Sequence, residues 1–249
     1  MILQVCTAKS DIGQKASADA IQIITDAVAE KGIASIVVAT GTSQFDLLQN
    51  LTSSQVIDWS KVVMFHLDEY IGLPISHPAS FRKYLTERFT SKLPSLKEFY
   101  LINGEAEDPI KECARLNEII SKRKIDLALV GIGENGHLAF NDPPADFETK
   151  DPYIIVNLDD ACKMQQVGEG WFKNRGEVPD TAISMSVHQI LAAVKIICSV
   201  PGKHKAKAVR DCLRGAVTPL HPASALIRHE ACTIFLDPDS ASLLTPLPS

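Results

Sequence analysis

Short, nearly continuous apolar runs recur along the chain: "IASIVVA" (33–39), "KVVMFHL" (61–67), "IDLALVGI" (125–132), "YIIVNL" (153–158), "TAISMSV" (181–187), "VKIICSV" (194–200) and "ACTIFLD" (231–237). Runs of this length, rich in β-branched residues, read as strands buried on both faces. Between the earlier ones the apolar positions follow a helical spacing. Helices are expected near residues 13–31, 43–53, 78–92, 107–122 and 203–214, the third introduced by Pro78 in its first turn. Strands alternating with helices indicate an α/β fold with a mostly parallel sheet, whose function gathers beyond the carboxyl ends of the strands. No internal repeat, low-complexity run or long linker breaks the pattern, so a single domain over residues 1–249 is expected.

Composition narrows the chemistry. The 249 residues are 45% hydrophobic and 22% charged, enough to bury a substantial core. A net charge of −5 gives no overall cationic field for nucleic acid or an anionic membrane, which favours a small-molecule partner. The opening "MILQVCTAKSDIGQ" lacks the charged and long apolar regions of a signal peptide, and "IASIVVA" is far too short to span a bilayer, so a cytoplasmic protein is expected. Cys6, Cys113, Cys162, Cys198, Cys212 and Cys232 are scattered, with no C-x-x-C pair and no Cys/His ligand spacing, and read as reduced core residues.

The strand ends carry the candidate chemistry. After "IDLALV" stands "GIGENGHLAFNDP", in which Gly131, Gly133 and Gly136 have the G-x-G-x-x-G spacing of a dinucleotide loop. Such a loop must open a helix whose N-terminus holds the phosphates, and here Pro143, Pro144 and Pro152 forbid a long one. Asp159 and Asp160, where a ribose-binding acid would sit, are half a match. The loop also presents Asn135, His137, Asn141 and Asp142; a histidine beside a carboxylate can carry protons near neutral pH, although a lone histidine is more often structural.

Three further loops stand beside it. Thr40, Gly41, Thr42 and Ser43 follow "IASIVVA" and suit either a phosphate or a plain N-cap with a turn glycine. Asp68 and Glu69 follow "KVVMFH"; on a strand they point to opposite faces, so only one can enter a given cleft. Solvated loop acids are the alternative there. Lys203 and Lys205 open a helix after "VKIICSV", where a cation opposes the helix dipole unless an anion is bound; the other reading is a basic solvated face continued by Lys207, Arg210 and Arg214.

Together "FHLDEYIGLP..HPASF", "GIGENGHLAFNDP" and "PGKHKAKAV" resemble the glucosamine-6-phosphate deaminase family, over nearly the whole chain. The related 6-phosphogluconolactonases share the glycine–histidine loop but usually carry D-E-R in place of "DEY" and lack "AFNDP". The resemblance implies a modified Rossmann-like three-layer α/β/α sandwich with a mostly parallel central sheet, and chemistry without metal or organic cofactor. It implies that Asp68 is the base moving a proton between C2 and C1. His137 would assist opening of the pyranose ring, with Asn135 and Asp142 at the positions of its acidic partners. Thr40, Gly41, Thr42, Ser43 and Lys205 would bind the phosphate, and Glu69, Gly133 and Gly136 the sugar. The expected reaction is conversion of glucosamine 6-phosphate to fructose 6-phosphate and ammonia in amino-sugar breakdown, with a sugar phosphate as partner and no nucleic acid or membrane. Assembly into a homo-oligomer is left open.

Two substitutions separate the chain from the frequent pattern D-G-H-x-x-F-N-E-P: Asn135 for the first acid and Asp142 for the glutamate. An arginine that some members use on the phosphate is also missing; Gly170 stands near its place, and Arg175 could serve only from a rebuilt loop. The alternatives are a paralogue acting on galactosamine 6-phosphate, a lactonase, or a non-catalytic sugar-phosphate sensor.

Overall fold

The structure is a computed structural model describing residues 1–244; the last five residues of the expected domain, 245–249, lie outside the described residues. In chain order the elements are β1 (Ile2–Val5), α1 (Lys9–Lys31), β2 (Ala34–Val38), α2 (Phe45–Thr52), β3 (Val62–His66), β4 (Asp68–Tyr70), α3 (Phe81–Arg88), β5 (Glu98–Tyr100), α4 (Pro109–Ile120), β6 (Leu127–Val130), β7 (Tyr153–Asn157), α5 (Asp160–Gly168), β8 (Thr181–Met185), α6 (Val187–Leu191), β9 (Lys195–Val200), α7 (Ala206–Arg214) and β10 (Cys232–Leu236). No helix among the described residues is long and apolar enough to cross a membrane.

Seven strands form a parallel sheet in the order β1-β10-β9-β6-β2-β3-β5. Alternation along each strand sends its side chains to two cores. Ile36, Val38, Met64, Leu127 and Leu129 pack with Ile12, Ala16, Ala20 and Ile24 of α1 and Leu47, Leu48 and Leu51 of α2. Val37, Val63, Phe65, Ala128 and Val130 face the other way, onto Leu116 and Ile120 of α4 and Val209 and Cys212 of α7. This is the expected three-layer α/β/α sandwich. All six cysteines are unpaired and buried, as the composition implied.

Local chemistry sets the helix ends. Asp108 accepts from the amides of Ile110 and Lys111 with Pro109 in the first turn of α4, and α1 stops at Gly32 (φ 73°), whose N–H returns to the Val28 carbonyl. The third helix starts later than Pro78 suggested: Ser80 is the cap, its hydroxyl accepting from the Lys83 amide. The first helix starts earlier than expected, at Lys9.

A second sheet corrects the reading of "YIIVNL" and "TAISMSV" as strands buried on both faces within a mostly parallel sheet. Their strands, β7 and β8, pair antiparallel with each other and with β4, in the order β4-β8-β7. Outward residues of β7 such as Ile155 are exposed, so half of that apolar run does not face a core. The chain passes from β3 through the single residue Leu67 into β4, and the Met185 amide donates to the Leu67 carbonyl at 2.6 Å. Asp68 therefore sits at the seam between the two sheets.

Candidate active site

Strands β9, β6, β2 and β3 are adjacent in the parallel sheet, so the loops leaving their carboxyl ends converge on one cleft. Its wall includes Thr40 to Ser43 after β2, Leu67 and Asp68 after β3, Gly131 to Gly133 and His137 after β6, and Pro201, His204 and Lys205 after β9. Phe81 and Phe140 close one side, stacked with centroids 5.4 Å apart and backed by the buried Tyr70.

Two of these loops have the same build. Gly41 (φ 96°, ψ 167°) leads into a 3₁₀ turn at Thr42–Gln44 and then α2; Gly202 (φ 98°, ψ 147°) leads into a 3₁₀ turn at Lys203–Lys205 and then α7. A positive φ is available cheaply only to glycine, and here it turns each chain so that a helix opens at the cleft. Unpaired backbone N–H groups and the positive dipole end at such a terminus favour an anion. Tyr84 braces the first loop, its hydroxyl donating to the Gly41 carbonyl at 2.9 Å. Lys205 is only 5% exposed, and its ammonium has no hydrogen-bond or ion-pair partner among the described residues. Burial pushes its pKa down, against the opposing pull of Glu169 and Glu134. A buried cation facing a cleft without a directly bonded partner is a place for an anionic ligand.

At the other end stands a proton-handling group. Asp142 Oδ1 lies 3.0 Å from His137 Nδ1. Asn135 Nδ2 donates to the same carboxylate at 2.9 Å, and the Asp159 amide donates to Oδ2 at 3.0 Å. Burial acts to raise the Asp142 pKa, but the hydrogen bond and charge of His137 and these two donors outweigh it and hold the carboxyl below its ordinary value. An ionised carboxylate can only accept, so Nδ1 carries a proton in this contact, and it is Nε2 that has the lone pair whenever the ring is neutral. The imidazole lies flat against Gly133: a Cβ there would stand 2.3 Å from its Cδ2 and Nε2. Asp68 is 6% exposed, and its pKa is raised well above the ordinary value, first by burial and then by the charges of Glu69 and Asp142. Ligand atoms of His137, Asp142 and Cys162 lie within 4.8 Å of one another, but the acid and the ring already bond each other and burial pushes the Cys162 thiol up, so the trio is read as packed neighbours rather than a metal centre.

Not every expected site residue faces the cleft. Glu69 turns to the opposite side of β4, fully buried, where its carboxylate accepts from the amides of Tyr70, Phe81 and Arg82, the Ser80 hydroxyl and Arg82 Nε. It anchors α3, as the alternation of strand side chains allows, and is not part of the cleft wall, contrary to the expected contact with sugar. Gly136 (φ 87°) lies behind the cleft against Cys212, supporting the turn. Asn135 and Asp142 stand behind His137 rather than on the wall, and Lys203 points to solvent. Arg175 is exposed and paired with Asp160, away from the cleft, and Gly170 leaves its neighbour Glu169 on the wall instead of a cation. Sequence reasoning missed Lys9, Gln165, Gln166, Glu169 and Trp171. Lys9 carried the same signal as Lys205, a lysine in a helix's first turn. The other four belong to α5 and the turn after it, an element with no clear apolar period.

The cleft's construction has counterparts in known proteins. A profile of the family described as glucosamine-6-phosphate isomerases/6-phosphogluconolactonase matches residues 7–235. The chain is 36% identical over 228 residues to glucosamine-6-phosphate deaminase of Listeria monocytogenes, covering 92% of this chain and 95% of that one. It is 34% identical over 245 residues to the protein of the same name from Oenococcus oeni, covering 98% and 99%. Among solved structures, one described as a monomeric glucosamine-6-phosphate deaminase superposes with a TM-score of 0.86 at 29% identity, covering 98% of this chain and 100% of that one. A 6-phosphogluconolactonase from Shewanella baltica superposes with a TM-score of 0.77 at 19% identity, covering 95% and 97%, which shows a shared fold.

Proposed function

Because the chain belongs to the family of glucosamine-6-phosphate isomerases and 6-phosphogluconolactonases, we propose that it converts glucosamine 6-phosphate and water to fructose 6-phosphate and ammonia. The observation that carries this reading is one cleft holding a buried, unpaired lysine at one end and, at the other, a buried aspartate beside a histidine–aspartate pair. The phosphate is held by Lys205 and by the N–H and hydroxyl groups of Thr40, Gly41, Thr42 and Ser43. The hexosamine then extends toward Asp68 and His137.

His137, with Nδ1 fixed on Asp142, moves through Nε2 the proton that must pass from the anomeric hydroxyl to the ring oxygen when the pyranose opens. Asp68 takes the C2 proton of the open-chain sugar and returns it to C1. As the C2–H bond breaks, its electron pair forms the C1=C2 bond of an enolamine and the C1 carbonyl oxygen takes a proton. The nitrogen lone pair then forms C=N at C2 as the C1=C2 pair takes the returned proton at C1, and nitrogen gives up a proton that replaces the one taken by the oxygen. Water adds to that carbon and ammonia leaves, so atoms balance with no external oxidant or reductant. Burial raises the Asp68 pKa, which makes its carboxylate a stronger base once it is ionised. The dry wall of Phe81 and Phe140 maintains that shift. A cytoplasmic location belongs to the same proposal, since sugar phosphates are charged and do not cross bilayers unaided.

The test is a coupled ammonia assay across glucosamine 6-phosphate, galactosamine 6-phosphate and 6-phosphogluconolactone. Ammonia with a ketose product from the first is expected. Acid release from the lactone without ammonia, or tight sugar-phosphate binding with no turnover, would overturn the proposal in favour of a lactonase or a sensor.

A further inference from the structure

Asp159 is the acid whose spacing from the glycines fitted a ribose ligand, and the structure gives it a different setting. It is the N-cap of α5, with Oδ1 accepting from the Cys162 amide at 2.6 Å. Its Oδ2 accepts from Asn135 Nδ2 at 3.1 Å, and its own N–H donates to Asp142 Oδ2 at 3.0 Å. Both hydrogens of the Asn135 amide are thereby engaged, one on Asp142 and one on Asp159, and its oxygen is left to accept from the His137 amide at 3.0 Å.

We propose that Asp159 is a positioning residue for the His137–Asp142 pair, locking the Asn135 amide and tying the glycine loop to helix α5. The inference rests on the deaminase reading for its kinetic consequence, though not for its geometry. With Asp159 in place, the Asn135 amide has one orientation; without it, one donor loses its acceptor and the amide is free to rotate away from Asp142 and His137. A second bond makes the tie two-pointed, since Gln165 Oε1 on α5 accepts from the Glu134 amide in the same loop at 2.9 Å. The far end of α5 places Gln165, Gln166 and Glu169 on the cleft wall. Any shift of that helix on substrate binding is passed through Asp159 to the carboxylate that orients the histidine.

A cap alone predicts something different, and two substitutions separate the roles. Asp159→Ser keeps an oxygen able to cap α5 but is too short to reach Asn135. Asp159→Asn keeps the length but offers one acceptor for two donors and sets its NH₂ against that of Asn135. Both should lower kcat by about ten- to a hundredfold, in the range seen when an outer-shell partner is lost. KM should stay within about threefold, because no substrate contact is removed. The Nδ1–H proton of His137 is expected to be sharp and strongly downfield in the NMR spectrum of the wild type and to broaden in both variants, while thermal stability of the serine variant is retained. Wild-type kcat and an unchanged Nδ1–H signal in Asp159→Ser would show Asp159 to be a cap only. If the wild type itself releases no ammonia, the functional proposal falls, and the Nδ1–H signal alone decides whether Asp159 positions the pair.

Discussion

Asp142 is one methylene shorter than the glutamate in the usual family pattern, and the geometry removes the apparent shortfall. Its carboxylate reaches His137 at 3.0 Å and is held from behind by Asn135 and the Asp159 amide, leaving the residue 9% exposed. An added methylene has no room to enter without displacing the ring or breaking one of these bonds. Asp142→Glu is therefore expected to lower kcat for glucosamine 6-phosphate by about tenfold or more, and Asp142→Ala by more still, since displacement of about 1 Å at a catalytic group can cost about a hundredfold. A gain in kcat for the glutamate variant would mean that the pair is set too far apart for this substrate. Among the acids, the sequence could say that Asp68 and Glu69 diverge, but not which one faces the cleft. That choice is made by the start of α3, whose Phe81 and Arg82 amides need an acceptor and take Glu69.

At the scale of elements, the cleft's anion end is made twice over by the same device, a glycine at positive φ followed by a 3₁₀ turn and a helix. Lys205 stands in one of these turns, where the dipole opposes a cation and burial disfavours its charge, a cost that the phosphate of the proposed substrate would relieve. Lys205→Met should raise KM for glucosamine 6-phosphate by one to three orders of magnitude, as about 1.5–3 kcal/mol or somewhat more is lost with a charge-assisted contact. Lys203→Met, at an exposed position, should leave KM within about twofold by the same reasoning. An equal effect at the two lysines would place the phosphate elsewhere. The long buried strands and most helices of this layer were legible because their apolar periods are strong. The three-residue strands β4 and β5 were not, being too short to show a period, and β7 and β8 carried strand composition without any mark of the sheet they would join. Helix α5 escaped for the same reason, and with it much of the cleft wall.

For the whole molecule, the decisive placement is a buried carboxyl at the seam of two sheets, under the charge of two other acids. Such a group is useful to catalysis and harmful to folding. Asp68 has an ordinary value of 3.8 and a folded value raised well above it. Below the ordinary value the residue is protonated in both states and costs nothing. As pH rises between the two values the unfolded chain ionises while the folded one holds its proton, so stability falls by about 1.4 kcal/mol per pH unit and then levels off above the folded value. Asp68→Asn removes that loss. The amide is expected to abolish isomerisation and solvent-deuterium exchange at C2, since it cannot take the proton, while sugar-phosphate binding stays within about tenfold. It is also expected to raise the melting temperature relative to wild type by an amount that is small near pH 4, grows as pH rises above it and levels off once the folded-state value is passed, at roughly 2–4 °C per kcal/mol for a chain of this size. Thermal scans of both proteins across that range check the sign. A difference that shrinks with rising pH, or a variant less stable than wild type at pH 8, would mean that Asp68 is ionised and well paired in the folded state, and that burial does not govern its titration.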